Sequence, residues 1–396
     1  MTDVAVIGVG MHEFGKFDEK PLHAMIRDVV KLALEDASMS WRDVEAVTAG
    51  SSHFSGGMGW GLSGNEVIVD MGATGVPVYN LSAACATGAN AFNVGQMMVA
   101  SGQHDVVLVV AGEKMPKGFI PRPPGAADDI SDNDFLRWAA VGCPNTAYWA
   151  IECRRRMEER GTTEEDLAMV AAKAHNIGVE NAKARFRKPI TVEAVLASPM
   201  VSYPLRLQEI CAVSDGAAAA ILCSGKIARQ AGRRPVWVAG SAVATAQYGD
   251  VAICTPDLTA SAVSRAPRAS EVTVAVERAL QKSGVAPAEL DLIELQDNCV
   301  WQELEYPELW GVVEPGQGEW LARRGETGID GKRPLNTSGG FLSFGEATTV
   351  MGLFQVYELT TQLRGEAGSR QTADPKIGLG QTRGLGGNGA AIVLKR

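Results

Sequence analysis

Residues 80–90, NLSAACATGAN, follow an apolar run, set Cys85 among alanines and then open into a helical pattern. Near the other end of the chain, NTSGGFLSFGEAT (336–348) echoes that arrangement, a small-residue loop feeding a helix. A second pair of segments lies in the same order. LALEDASMSWRDVEAV (32–47) can be laid over RALQKSGVAPAELDLI (278–293), each a helix end, a short turn with an acidic residue and an apolar strand. Such recurrence predicts two similar halves related by duplication. The loops ahead of the two matching helices would then face one another across a single cleft, with helix N-termini aimed inward.

The surrounding pattern agrees. VAVIGVG (4–10), VVLVVAG (106–112), AAAAILC (217–223) and VWVAGSAV (236–243) are continuous apolar runs, which suit strands buried on both faces. HAMIRDVVKLALEDA (23–37) and NAFNVGQMMVAS (90–101) carry helical spacing, so the class is α/β. Residues 119–204 break the alternation. PRPPGAADDISDND reads as an irregular excursion. AYWAIECRRRMEERG and TEEDLAMVAAKAHNIGVENA read as amphipathic helices, the second opened by Thr163 with Glu164 and Glu165 in its first turn. The expected division is an N-terminal half at 1–118 with 205–262, an inserted lid at 119–204 packed over that first half, and a C-terminal half at 263–396.

Composition narrows the function. A length of 396 residues suffices for two or three domains with substantial cores. A net charge of −9 without any long basic run argues against nucleic acid or an anionic membrane as partner. The start, MTDVAVIGVGM, reads as a first strand rather than a signal peptide. No apolar run reaches the roughly 18 residues of a membrane helix. Seven cysteines are scattered without CxxC spacing, so neither a zinc site nor a disulfide framework is indicated and a reducing cytoplasm is the simplest setting. The glycines of GVGMHEFG lack the spacing of a dinucleotide site. Of five histidines, His175 is the last.

Cys85 has two readings. A helix N-terminus stabilises a thiolate and offers N–H groups to an oxyanion, and the flanking alanines leave room for a substrate carbonyl. Against that, most free cysteines are inert core residues. Lys114, Lys117 and Arg122, in GEKMPKGFIPRP, are cations that either meet an anionic ligand or decorate the surface. His53, His104 and His175 carry no clear assignment to chemistry.

Residues 80–118, NLSAACATGANAFNVGQMMVASGQHDVVLVVAGEKMPKG, resemble the nucleophile region of the thiolase superfamily. LNTSGGFLSFGEATTVMGLFQVYELTTQLRGEAG (335–368) resembles its C-terminal signature, and GLGGNGAAIVL (384–394) its final glycine loop and strand. LQDNCVWQELEYPELWGVVEPGQG (295–318) is most similar to the sterol-carrier-protein-x type. The resemblance implies the thiolase fold, two duplicated βαβαβαββ halves in a five-layer α-β-α-β-α sandwich with an inserted loop domain. It implies Cys85 as the acyl-accepting nucleophile, with the N–H groups of Cys85 and Gly386 as an oxyanion hole. Lys114, Met115, Lys117, Ser338 and Gly339 are the expected substrate and coenzyme A contacts. Coenzyme A would be a co-substrate, with no tightly bound cofactor and no metal. The family habit is a homodimer, and divergent members often work with a small OB-fold/zinc-ribbon subunit.

The departures matter as much. Typical thiolases carry a histidine where this chain has Glu346, and a second cysteine in the final loop where it has Gly384, Leu385 and Gly386. The His-Asp-Cys-Phe motif of the sterol-carrier-protein-x type becomes Gln296, Asp297, Asn298 and Cys299. Glu346 is then the best-placed base, unless it merely caps a helix. Cys299 is either the second acid/base or a packed side chain. The implied reaction is thiolysis of a β-ketoacyl-CoA, and the altered proton-transfer set suggests one with a bulky, branched or aromatic acyl group; benzoylsuccinyl-CoA thiolase is a family member of that sort. The rival readings are a thiolase-fold retro-aldolase and a non-catalytic subunit. Retro-aldolases of the fold use tyrosines in these regions, where this chain has Gln296 and Thr348.

Overall fold

The computed structural model describes residues 2–50, 64–116, 145–245, 270–385 and 387–396. Among the described residues, nine strands form one mixed sheet: β1 (Val4–Met11), β2 (Ala46–Gly50), β3 (Val78–Leu81), β4 (Val106–Glu113), β7 (Gly216–Ser224), β8 (Val236–Thr245), β9 (Leu292–Leu295), β10 (Ile377–Gly384) and β11 (Asn388–Lys395). The short β5 (Met200–Ser202) and β6 (Leu205–Arg206) make a separate hairpin. The sheet order is β3-β2-β4-β7-β1-β8-β11-β10-β9. At its middle β1 meets β8 through two residue pairs, Ala5 with Trp237 and Val6 with Val236.

Reading outward from that join, β1, β7, β4 and β2 match β8, β11, β10 and β9. In both halves the first two pairings are antiparallel and the third is parallel. The correspondence holds at single residues. A Cβ on Gly8 of β1 would lie 2.2 Å from the Ala33 carbonyl, and one on Gly240 of β8 would lie 2.3 Å from the Ala279 carbonyl. Ala33 and Ala279 are equivalent in the 32–47 and 278–293 repeat. The turns that follow are closed alike, with Ser40 N–H donating to Asp43 and Ala286 N–H donating to Glu289, each at 2.7 Å.

Strand alternation sorts side chains into layers. On β4, Val106, Leu108 and Val110 face the helix Leu22–Asp36, whereas Val107 and Val109 face the interior. On β11, Ala390, Ile392 and Leu394 face that interior, and Ala391 and Val393 face the helix Glu271–Ser283. Between the two halves of the sheet run the helices Thr87–Ala100 and Met351–Arg364, each of 14 residues. The result is the five-layer α-β-α-β-α sandwich of the thiolase fold. The two central helices touch backbone to backbone: a Cβ on Gly88 would sit 2.8 Å from the Thr349 carbonyl, and one on Gly352 would sit 2.4 Å from Ala89 N.

The second echo is looser than the sequence implies. After NTSGG comes a short additional helix, Gly340–Phe344, and the central helix starts later, at Met351. Aligning the central helices makes Thr349 the counterpart of Cys85, and its hydroxyl donates to the Gly112 carbonyl at 2.9 Å.

The inserted helices pack on the second half rather than the first. Thr163 caps Glu164–Val179 as its sequence predicts, but Asn145–Arg160 buries Arg156 against Glu308 and Glu319, both at 2.8 Å. Lys173 meets Glu303 at 2.6 Å, and Ala150, Cys153 and Leu167 share a core with Val272, Trp301 and Leu304. A buried guanidinium requires carboxylate partners, and these come from the second half.

Gly352→Ala forces a methyl group into the Ala89 backbone and should cost about 1–3 kcal/mol through overpacking. Gly232→Ala, with open space around its Cβ position, should stay within about 0.5 kcal/mol of the parent. Urea unfolding of both variants checks this; equal midpoints would show that the helix crossing tolerates a side chain.

Candidate active site

Cys85 sits where β3 turns into the first central helix. Ala84 adopts φ +49°, a left-handed conformation that costs about 1–3 kcal/mol in a non-glycine residue. Thr87 holds the turn: its hydroxyl accepts from Ala83 N–H at 2.8 Å and donates to the Ala84 carbonyl at 2.6 Å. The end of β10 presses on the same turn, since a Cβ on Gly384 would lie 2.0 Å from the Ala83 carbonyl. Leu385, the next residue, brings its backbone N–H beside the Cys85 sulfur, where it favours the thiolate. The N-terminal half therefore supplies the cysteine, and the C-terminal half clamps it.

Glu346 comes from the second half, in the link between the additional helix and the second central helix. Its backbone is fixed to the strand-like run ahead of β7, donating to the Ala212 carbonyl at 2.6 Å and accepting from Ser214 N–H at 2.9 Å. Its carboxyl is buried beside the Cys85 thiol and the Asn298 amide, and both neighbours favour its charged form against the cost of burial. Glu346 Oε1 has no hydrogen-bond partner of its own among the described residues.

Asn298 and Gln296 extend the network. Asn298 Nδ2 reaches Cys211 Sγ at 3.3 Å, Gln296 Nε2 donates to Asn298 Oδ1, and Arg383 N–H donates to Gln296 Oε1. Alternate residues along this run point opposite ways. Gln296 and Asn298 face the site, while Asp297 accepts from Phe341 N–H at 2.7 Å. Cys299 is fully buried in the outer core with Cys153 and Trp301. Of the two readings of Cys299, its position fits the packed side chain, and the sulfur beside Asn298 is that of Cys211.

Burial sets the protonation. The Cys85 thiol is pushed well above its ordinary value by desolvation first and by the neighbouring Glu346 carboxylate second. Glu346 is also raised, again by burial. A helix N-terminus contributes at most about 2 kcal/mol to an anion, whereas desolvating an ion costs several kcal/mol. Cys85 therefore rests as a neutral thiol, not as the thiolate that its place before a helix implies.

A cavity of about 580 Å³ adjoins the site, with Glu346 and Cys211 in its wall. Trp149, Phe186, Leu207 and Leu342 give it apolar sides, and Lys16, Arg185 and His175 are its basic groups. Lys16 pairs with buried Asp215 at 2.6 Å. His175 is on the inserted helix, Nε2 facing the Gln208 carbonyl at 3.2 Å, and burial lowers its pKa. Cys211, Lys16 and Arg185 were missed in the sequence; CAVSDG ahead of an apolar run marks Cys211 as a residue entering a strand and gives no hint of Asn298.

Other expected contacts lie elsewhere. Lys114 Nζ is held by the carbonyls of Phe17 at 2.6 Å and Lys20 at 2.9 Å. Met115 is buried, its sulfur near the Thr348 hydroxyl. Ser338 is buried and donates to Glu294 at 2.6 Å, and Gly339 packs on the Gly178 backbone. None of these four lines the cavity. Lys117, Gly386, Arg122 and His53 lie outside the described residues. Among the described residues no cluster of three or more His, Cys, Asp or Glu could hold a metal, and no helix is long and apolar enough to cross a membrane.

Comparison with known proteins agrees with this architecture. The thiolase N-terminal domain model matches residues 4–201 and the thiolase C-terminal domain-like model matches residues 254–396. An acetyl-CoA acetyltransferase of Methanothermobacter thermautotrophicus is 36% identical, over 100% of this chain and 99% of its own. Sterol carrier protein 2 of Oryctolagus cuniculus is 30% identical over 98% of this chain and 71% of its own. Benzoylsuccinyl-CoA thiolase subunit BbsB of Thauera aromatica is 28% identical over 97% and 95%. Among solved structures, the Ltp2-ChsH2(DUF35) aldolase matches with a TM-score of 0.81 at 23% identity, covering 99% of this chain and 97% of that one. With both halves matched by family models and a full-length relative above 30% identity, the chain belongs to the thiolase family.

Proposed function

We propose that this thiolase-family acyltransferase cleaves a β-ketoacyl-CoA by thiolysis, carrying the acyl group on Cys85 and releasing two acyl-CoA products. The reading rests above all on the Glu346 carboxyl held against the Cys85 thiol. As a carboxylate, Glu346 takes the Cys85 proton while the sulfur attacks the ketone carbon. That transfer leaves Glu346 neutral as negative charge builds on the former ketone oxygen, so the repulsion between a carboxylate and an oxyanion is removed. Collapse of the adduct breaks the C–C bond beside the thioester. Coenzyme A, a co-substrate rather than a resident cofactor, then attacks the acyl-Cys85, and Glu346 returns its proton to the leaving sulfur. Asn298 and Gln296 orient Glu346, and the N–H groups of Cys85 and, by the family resemblance, Gly386 are assigned to the oxyanion.

The acyl group is bulky and apolar or aromatic, because the cavity is far larger than an acetyl group needs and has Trp149 and Phe186 in its wall. A benzoylsuccinyl-type substrate, as in the name of the Thauera relative, is of this sort, and a degradative pathway suits it. The catalytic halves are 1–118 with 205–262 and 263–396, and 119–204 is the lid. A cytoplasmic homodimer with a small partner subunit completes the reading. It is supported by five free cysteines among the described residues, by a relative named as a subunit and by a structural neighbour, the Ltp2-ChsH2(DUF35) aldolase, whose name joins two components.

Cys85→Ser should abolish thiolysis and the acyl-enzyme mass adduct formed with a β-ketoacyl-CoA. Normal turnover in that variant rules out the covalent route, and C–C cleavage without coenzyme A would identify a retro-aldolase instead.

Glu346→Gln should lower kcat by about 10²–10⁴-fold. The parent needs the carboxylate, and burial raises its pKa. Activity should therefore fall as pH drops through a value above the ordinary carboxylate range, and the variant should lack that acidic limb. A limb that persists in Glu346→Gln assigns the base elsewhere.

A further inference from the structure

Thiolysis moves two protons: one leaves the attacking cysteine, and a second is delivered to the departing enolate and later removed from coenzyme A. Glu346 accounts for the first. The final loop has Gly384, Leu385 and Gly386 where a second cysteine is usual, and Cys299 faces the outer core. Among the described residues, the cavity wall holds one thiol, Cys211.

We infer that Cys211 is the second proton carrier, donating to the enolate in the first half-reaction and deprotonating coenzyme A in the second. This rests on the thiolysis reading above. Cys211 is half-buried, lines the cavity beside Glu346 and receives the Asn298 Nδ2 hydrogen bond at 3.3 Å. Its backbone N–H donates to the Asn298 carbonyl at 2.9 Å, which fixes it to the same run. The partnerless, buried Glu346 Oε1 in the same wall marks a place where a reacting group completes the hydrogen bonding.

The proton count closes. In the first half-reaction the Cys85 S–H proton passes to Glu346, the C–S bond forms, the C–C bond breaks, and the Cys211 S–H proton goes to the enolate carbon. In the second, the Cys211 thiolate takes the proton of coenzyme A, the new thioester forms, and Cys85 leaves with the Glu346 proton. One negative charge thus passes from Glu346 to Cys211 and back. Electrostatics favours this alternation, because charged Glu346 opposes ionisation of Cys211, and the opposition vanishes once Glu346 is protonated. The Asn298 amide stabilises whichever of the two is the anion.

The test compares the parent with Cys211→Ala and Cys211→Ser in the full chain, using a series of aliphatic and aromatic β-ketoacyl-CoA esters. Both variants should lose at least about a hundredfold in kcat, with little change in KM for coenzyme A. Alkylation of Cys85 by iodoacetamide should keep the parent rate, because Glu346 takes that proton. Turnover within about threefold of the parent in either folded variant overturns the role, as does a parallel loss of turnover and Cys85 alkylation. A parent that cleaves the esters without consuming coenzyme A overturns the thiolysis reading itself, and the role of Cys211 with it.

Discussion

The proposed chemistry depends on a contact between two helices that have no room for side chains where they meet. Gly88 and Gly352 let one central helix from each half approach to backbone distance. Only then does the turn before the first helix, with Cys85, reach the link before the second, with Glu346. Each half alone holds an incomplete set, a thiol without a base or a base without a thiol. The nine-stranded sheet adds little to this juxtaposition, since its halves join through two residue pairs. The interleaved core of Val107, Val109, Ala218, Ala390 and Ile392 around the two helices does most of the holding.

Once the halves are together, burial governs the acid–base behaviour. The site gathers a thiol, a carboxyl, a second thiol and two amides where water has little access, and each ionisable member is pushed toward its neutral form. A charge there is favoured only where a donor is near, and Asn298 donates to Cys211 and lies beside Glu346. This gives the exchange of histidine for glutamate a physical logic. A carboxylate that becomes neutral on accepting a proton vacates the negative charge as the oxyanion appears.

Much of the fold was readable in the chain because duplication wrote it twice. The 32–47 and 278–293 segments keep even the alanines that face glycines in β1 and β8. The Cys85 turn was readable for the same reason, and Glu346 because its surroundings stayed recognisable after the residue itself had changed. What sequence order hides is which way side chains point and what lies across space from them. Cys299 is one place along from Asn298 and faces the opposite layer. Lys114 has a cation's composition and a structural duty, bridging carbonyls of residues 17–20. The docking of the insertion depends on Arg156 and its distant carboxylates, a pairing across more than 150 positions that local pattern cannot reveal.

Thr349 occupies in the second half the place that Cys85 holds in the first, and its hydroxyl is committed to the Gly112 carbonyl of β4. Duplication would have left two nucleophile positions facing each other across the dyad between the halves. In the proposed mechanism one is the reactive centre, and its twin is a peg that ties the second half to the first half's sheet. The chain is therefore symmetric in architecture and lopsided in chemistry. Its two copies share one architecture, and just the first carries a sulfur at this position.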